Sequence, residues 1–307
     1  MTLKKTLALY CKGVAMGSCD LIPGASGGTV AFVTGVYEPL VDSIAKVSSS
    51  LPLLLKKGGI PLFWRAINGN FLLTLGLGIV TSVTILAHAI TYLLSAHPQL
   101  VYAFFFGLVL ASARLVSREI TQWRAPLLLL VLLGAAATFS ITVAQPIQSS
   151  GENYLAIFAS GLIAICALLL PGLSGAFVLL LMGMYQPMLA ALTSFALDRI
   201  TVFIVGCALG LLSFSRLLRW LFQRYHQETV SVLLGFMLGS LNRVWPWQLA
   251  VAPAGSWWGK STMPASYQAI MQVDAQTLGV IAVMLVAIGY ILLLEKLASR
   301  PKSSLKS

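Results

Sequence analysis

The stretch "DLIPGASGGTVAFVTGVY", Asp20 to Tyr37, and its near-copy "LLLPGLSGAFVLLLMGMY", Leu168 to Tyr185, decide how this chain is read. Each sets a proline, glycines and a serine inside an apolar run, and the first adds an acid. Proline removes a backbone donor and ends the helical arm before it, while glycine admits close backbone approach and dihedrals closed to other residues. Both stretches therefore predict a helix that stops and restarts, with breaks at Pro23 and Gly24 and at Pro171 and Gly172.

The surroundings of these breaks are those of a membrane protein. The 307 residues are 58% hydrophobic and 9% charged, with a mean hydropathy of +0.89. In hydrocarbon every backbone polar group must be satisfied internally, and runs such as 125–144 have helical length with no period-2 alternation, which excludes a barrel. The predicted fold class is an all-α polytopic membrane protein. Windows at 69–95, 99–116, 125–145, 200–222, 229–245 and 277–297 are long enough to span. The regions 7–45 and 153–195 remain, each two apolar arms around a break, and read as broken helical hairpins that are either re-entrant or pairs of full crossings. "TLALY" between Lys5 and Lys12 is too short for the apolar core of a cleavable signal peptide.

With each hairpin returning to its own side and the N-terminus cytoplasmic, only Arg199, Arg243 and Lys260 of the 20 Lys and Arg residues lie outside. The positive-inside rule favours that orientation, with both termini cytoplasmic. The net charge of +11 follows from these helix-end cations and does not mark a nucleic-acid surface. Trp245, Trp247, Trp257 and Trp258 cluster as interface anchors would. Four scattered cysteines without metal-ligand spacing predict neither a disulfide nor a metal.

The chain also repeats itself. An offset of 148 superposes Gly13 on Gly161, Pro23 on Pro171, Ser26 on Ser174, Gly35 on Gly183 and Tyr37 on Tyr185, and an offset of 128 superposes Gly78 on Gly206 and Gly107 on Gly235. The difference is taken up by an extra loop at 46–65. Two units follow, 1–150 and 151–307, each a broken hairpin plus three transmembrane helices. An odd number of crossings inverts the second unit in the membrane, an arrangement typical of secondary transporters.

The breaks are equipped for anions. Ser26, Thr29 and Ser174 suit N-cap positions, and the helices that restart at Gly27, Gly28 and Gly175 would present free N–H groups and a positive dipole end to a phosphate. Gly35 and Gly183 read as helix-packing notches. Asp20 has Leu168 as its counterpart, so it is the unmatched acid at membrane depth, suited to carrying a proton or capping backbone. Glu38, opposite Gln186, is a second candidate for coupling or gating. Arg114 and Arg243 sit near the corresponding helix ends of the two units, where a planar fork could receive a phosphate.

On "GVAMGSCDLIPGASGGTVAFVTGVY", "LLLPGLSGAFVLLLMGMY" and "GFMLGSLNRVWPW", nearly the whole chain resembles the DUF368 family of bacterial inner-membrane proteins. The family's first element maps onto Asp20, Pro23, Gly24, Ser26, Gly27, Gly28 and Thr29, and its second onto Pro171, Gly172, Ser174 and Gly175. The resemblance implies a translocase that returns undecaprenyl phosphate from the outer to the cytoplasmic leaflet for peptidoglycan and envelope polymer synthesis. It implies no cofactor, and no phosphate-loop motif for ATP is present. Transport would be downhill or coupled to an ion gradient, with protons and Asp20 the first candidates. Two rival readings are a rhomboid-like intramembrane serine protease, in which Ser26 of "GASG" would pair with His88 or His226, and a small-anion transporter or channel.

Overall fold

A computed structural model describes residues 3–20, 26–50, 59–144, 152–250 and 259–298, so Pro23, Gly24, Trp257 and Trp258 lie outside the described residues. The first broken region is three helices: α1 (Leu3–Asp20), the short α2 (Gly27–Val33) and α3 (Tyr37–Ser50). The stretch expected as an extra loop holds the end of α3 and a short helix, α4 (Gly59–Ala66). The window expected as the first span holds α5 (Gly69–Thr81), a π-helical segment at Ser82–Leu86, and α6 (Ala87–Ala96). Next come α7 (Pro98–Ser117) and α8 (Ala125–Val143).

The second broken region repeats the pattern as α9 (Tyr154–Leu169), α10 (Gly175–Leu181) and α11 (Tyr185–Thr193). It leads into α12 (Leu197–Arg224) and α13 (His226–Ser240). A two-stranded antiparallel ribbon, β1 (Gln248–Ala250) and β2 (Gly259–Ser261), and α14 (Pro264–Met271) precede α15 (Thr277–Ala298).

Among the described residues three helices, α7, α8 and α12, are long and apolar enough to cross a membrane, and up to five crossings result if two bent pairs each count as one. The chain is a mostly helical membrane protein. The expected span at 229–245 is shorter than read: α13 has 15 residues, about 22 Å at 1.5 Å per residue, and its chain turns at Leu241. The face of α8 bearing Leu128, Leu129, Leu132 and Leu133 is exposed, as a lipid-facing surface requires.

Glycines set the helix crossings. A Cβ on Gly13 would strike the Leu75 carbonyl of α5, and one on Gly161 would strike the Phe203 carbonyl of α12. Gly78 likewise meets Tyr10 and Val14, where Gly206 meets Phe158 and Leu162. These contacts correspond residue for residue at the offsets of 148 and 128. The other long helices pair crosswise: Gly107 packs α7 on Met284 of α15, and Gly235 packs α13 on Val131 and Gly134 of α8.

Two readings are corrected here. Gly35 is no packing notch, since nothing lies within 4 Å of a Cβ built on it; its φ of 69° turns the chain between α2 and α3. Gly183, with φ of 67°, makes the same turn between α10 and α11, where the axes bend by 108°. Trp247 is no interface anchor: it is 4% exposed, donates to the Ala275 carbonyl at 2.8 Å and packs with Tyr267 in a small separate core beneath the ribbon.

Candidate functional site

The two breaks meet. Ser26 caps α2, its hydroxyl accepting from the Gly28 N–H at 3.2 Å, and Ser174 caps α10 by accepting from the Phe177 N–H at 3.4 Å. Thr29 is not a cap. Its hydroxyl accepts from the Gly172 N–H of the other break at 3.0 Å, and the Ser26 hydroxyl reaches the Leu170 carbonyl at 3.4 Å. Ser26, Thr29 and Ser174 are all buried, as are Gly27, Gly28, Pro171, Gly172 and Gly175.

Asp20 closes the first break from the end of α1. Its Oδ1 accepts from the Gly27 N–H at 2.7 Å, and a Cβ on Gly27 would collide with the same carboxylate. An anion at a helix N-terminus complements the dipole, and here a side chain supplies it. Of the N–H groups expected to cradle a phosphate, those of Gly27 and Gly28 are therefore satisfied by Asp20 and Ser26 in this conformation.

Beside this junction lies an apolar cleft of about 850 Å³, walled by α1, α2, α7 and α15. Phe104, Phe105, Leu108, Val30 and Ile291 line it, while Ala15 and Tyr290 on its wall are exposed on apolar helix faces. Its polar side chains include Lys12, Ser18 and Thr34, and the Lys12 ammonium donates to the Thr34 carbonyl at 2.6 Å. Ser18 contacts Ser82 at 2.8 Å, where the π-helical segment begins. Such segments recur at functional sites because they displace backbone groups from the regular ladder.

The arginines do not converge. Arg114 is exposed on the last turn of α7, whereas Arg243 is 4% exposed with its guanidinium 4.8 Å from the ring centroid of Phe177, in the first turn of α10. Glu38 is exposed at the start of α3, 3.2 Å from Nε2 of His226, and stands apart from the breaks. That contact occupies His226 with Glu38 rather than with Ser26, and the side chain of His88 lies outside the described residues.

Residues 16–260 match the VCA0040-like family, described as undecaprenyl phosphate translocase-like. The chain belongs to this family. It is 42% identical over 301 residues to a protein of Vibrio cholerae named polyprenyl-phosphate transporter, covering 96% of this chain and 97% of that one. A Staphylococcus aureus protein of the same name is 29% identical over 252 residues, covering 76% of this chain and 84% of the relative. No solved structure matches. These relatives are named as transporters and not as enzymes.

Lys12, which stands on the wall of the apolar cleft, counted in the sequence only toward the charge at the inner end of a helix. Its signal was available: it is the one cation between Thr6 and the break at Asp20.

Proposed function

We propose that the protein carries undecaprenyl phosphate, the polyprenyl phosphate carrier lipid, from the outer to the cytoplasmic leaflet of the bacterial inner membrane by alternating access, recycling it for peptidoglycan and envelope polymer synthesis. The units 1–150 and 151–307 act as inverted repeats whose exchange of shape opens one site to either side, with both termini cytoplasmic. The observation that carries this reading is the 850 Å³ apolar cleft with Lys12 on its wall. A soluble anion needs no such surface. A lipid phosphate needs a cation for its headgroup and an apolar wall for the first units of its tail, while the rest of the tail stays in hydrocarbon.

In this scheme Lys12 and Ser18 receive the headgroup within the cleft. The junction of Ser26, Gly27, Gly28, Thr29, Ser174 and Gly175 is the part that changes shape. Asp20 couples the two, because a proton on its carboxylate removes the anion from the start of α2 and frees the Gly27 N–H for phosphate. Protons are then the coupling ion. Arg243 and Arg114 serve the headgroup toward the outer and the cytoplasmic ends.

The test is movement of undecaprenyl phosphate between leaflets of proteoliposomes. The folded protein is expected to accelerate that movement, and Lys12→Gln to slow it at least tenfold. If the wild-type protein gives no acceleration, the lipid-transport reading is wrong; if Lys12→Gln transports normally, the cleft is not the route.

A further inference from the structure

We propose that Glu38, Glu119 and His226 form a binding site for a divalent cation of the zinc class, at the end of the bundle where the first broken hairpin meets α7 and α13. The three side chains come from three separate places. Glu38 is in the first turn of α3, Glu119 lies two residues beyond α7, and His226 opens α13. One donor atom from each lies within 4.8 Å of the others, with Glu38 Oε1 and His226 Nε2 at 3.2 Å. Ligands about 2.0–2.2 Å from a tetrahedral zinc stand roughly 3.4 Å apart, so a small rotation of Glu119 completes the set.

A second observation points the same way. Tyr37, Glu38 and Glu119 line one cavity of about 170 Å³. Tyr37 is 2% exposed, and its hydroxyl has no hydrogen-bond partner among the described residues, a cost that buried polar groups seldom carry without a ligand or water. The surrounding rings hold the cluster in shape: Tyr37 packs between Phe32 and Phe222, and Phe222 packs edge-on against His226.

Charge favours a cation. Two carboxylates face one imidazole, and the nearby Arg219 and Lys46 are engaged by Asp42, a turn further along α3. Mixed imidazole and carboxylate donors suit zinc better than magnesium or calcium, which favour oxygen alone, and the exposed side leaves room for water as a fourth ligand. The sequence shows no ligand motif because no two of these residues belong to one segment. A bound ion would tie α3 to the ends of α7 and α13.

Titration calorimetry of the full-length chain in detergent, with zinc ion alone, tests this independently of any transport. One ion per chain is expected, with Glu119→Gln and His226→Ala each weakening binding at least tenfold and His97→Ala, an exposed histidine at the opposite end of α7 from Glu119, leaving it unchanged. Thermal unfolding of each variant checks that it is folded, and Glu119→Gln alone suffices if His226→Ala is not. Absence of saturable binding at one ion per chain, or equal affinity in parent and folded Glu119→Gln, overturns the site.

Discussion

Where α1 crosses α5, Gly13 lies against the backbone of Leu75 and Gly78; where α9 crosses α12, Gly161 lies against Phe203, the residue at the position corresponding to Leu75. One junction further along, the equivalence ends. Ser18 meets Ser82 at 2.8 Å beside a π-helical segment, while the corresponding residues, Cys166 and Gly210, make a long thiol-to-carbonyl contact of 3.8 Å on an unbroken α12. Asp20 caps α2 where Leu168 stands in the other copy, and Lys12 lines the large cleft where the other copy has Ser160. The shared contacts are backbone against backbone, which only small residues permit. The differing ones are polar, with Lys12, Ser18 and Asp20 all on α1, so the crossings are shared while these side chains have no like counterpart at 160, 166 and 168.

The sharpest way to break this comparison is at the shared crossings. Gly13→Val and Gly161→Val each drive a side chain into a neighbouring carbonyl, and each should cost about 3 kcal/mol of stability, the upper range for overpacking. Denaturant unfolding in detergent measures both. If one is tolerated and the other is not, the crossings are not equivalent.

The next largest effect separates the copies. Asp20→Ala removes an acceptor from the Gly27 N–H and should cost about 2 kcal/mol, near the top of the range for caps because Gly27 is buried. Leu168→Ala should cost less, since that side chain is 37% exposed. Equal losses would mean that Asp20 only fills space. The turns return to symmetry: Gly35→Ala and Gly183→Ala place a Cβ at φ of 69° and 67° and should each cost about 1 kcal/mol.

Much of this was legible along the chain because it is local. The Pro-Gly breaks, the capping serines at Ser26 and Ser174, and the helices from Pro98 to Val143 follow from residue types within one turn of each other. The internal offsets also marked Gly13, Gly78, Gly161 and Gly206, each of which sits at a helix crossing. Gly35 was misread because spacing cannot tell a notch from a turn; only the absence of a neighbour and the sign of φ do. What stayed hidden joins distant segments: Thr29 with Gly172, Glu38 with Glu119 and His226, and Lys12 with the walls of its cleft. Hydropathy counts Lys12 and Glu38 as flanking charges, and Trp247 as an anchor, because it carries no information about which helix lies opposite.

The smallest predicted effect is at the junction where the copies diverge. A hydrogen bond between membrane helices is worth about 0.6 kcal/mol on average, because the separated helices also find polar partners. A double-mutant cycle of Ser18→Ala and Ser82→Ala should therefore give a coupling near that value. The equivalent cycle for Cys166 and Gly210 cannot be read the same way, since the thiol contacts a carbonyl that no substitution removes. Replacing Cys166 by Ser tests it instead: a shorter, stronger donor at this position should bring stability no lower than that of the parent. A coupling of zero for Ser18 and Ser82 would leave the π-helical segment without the polar contact that accompanies it, and the difference between the two hairpins would then begin only at Asp20.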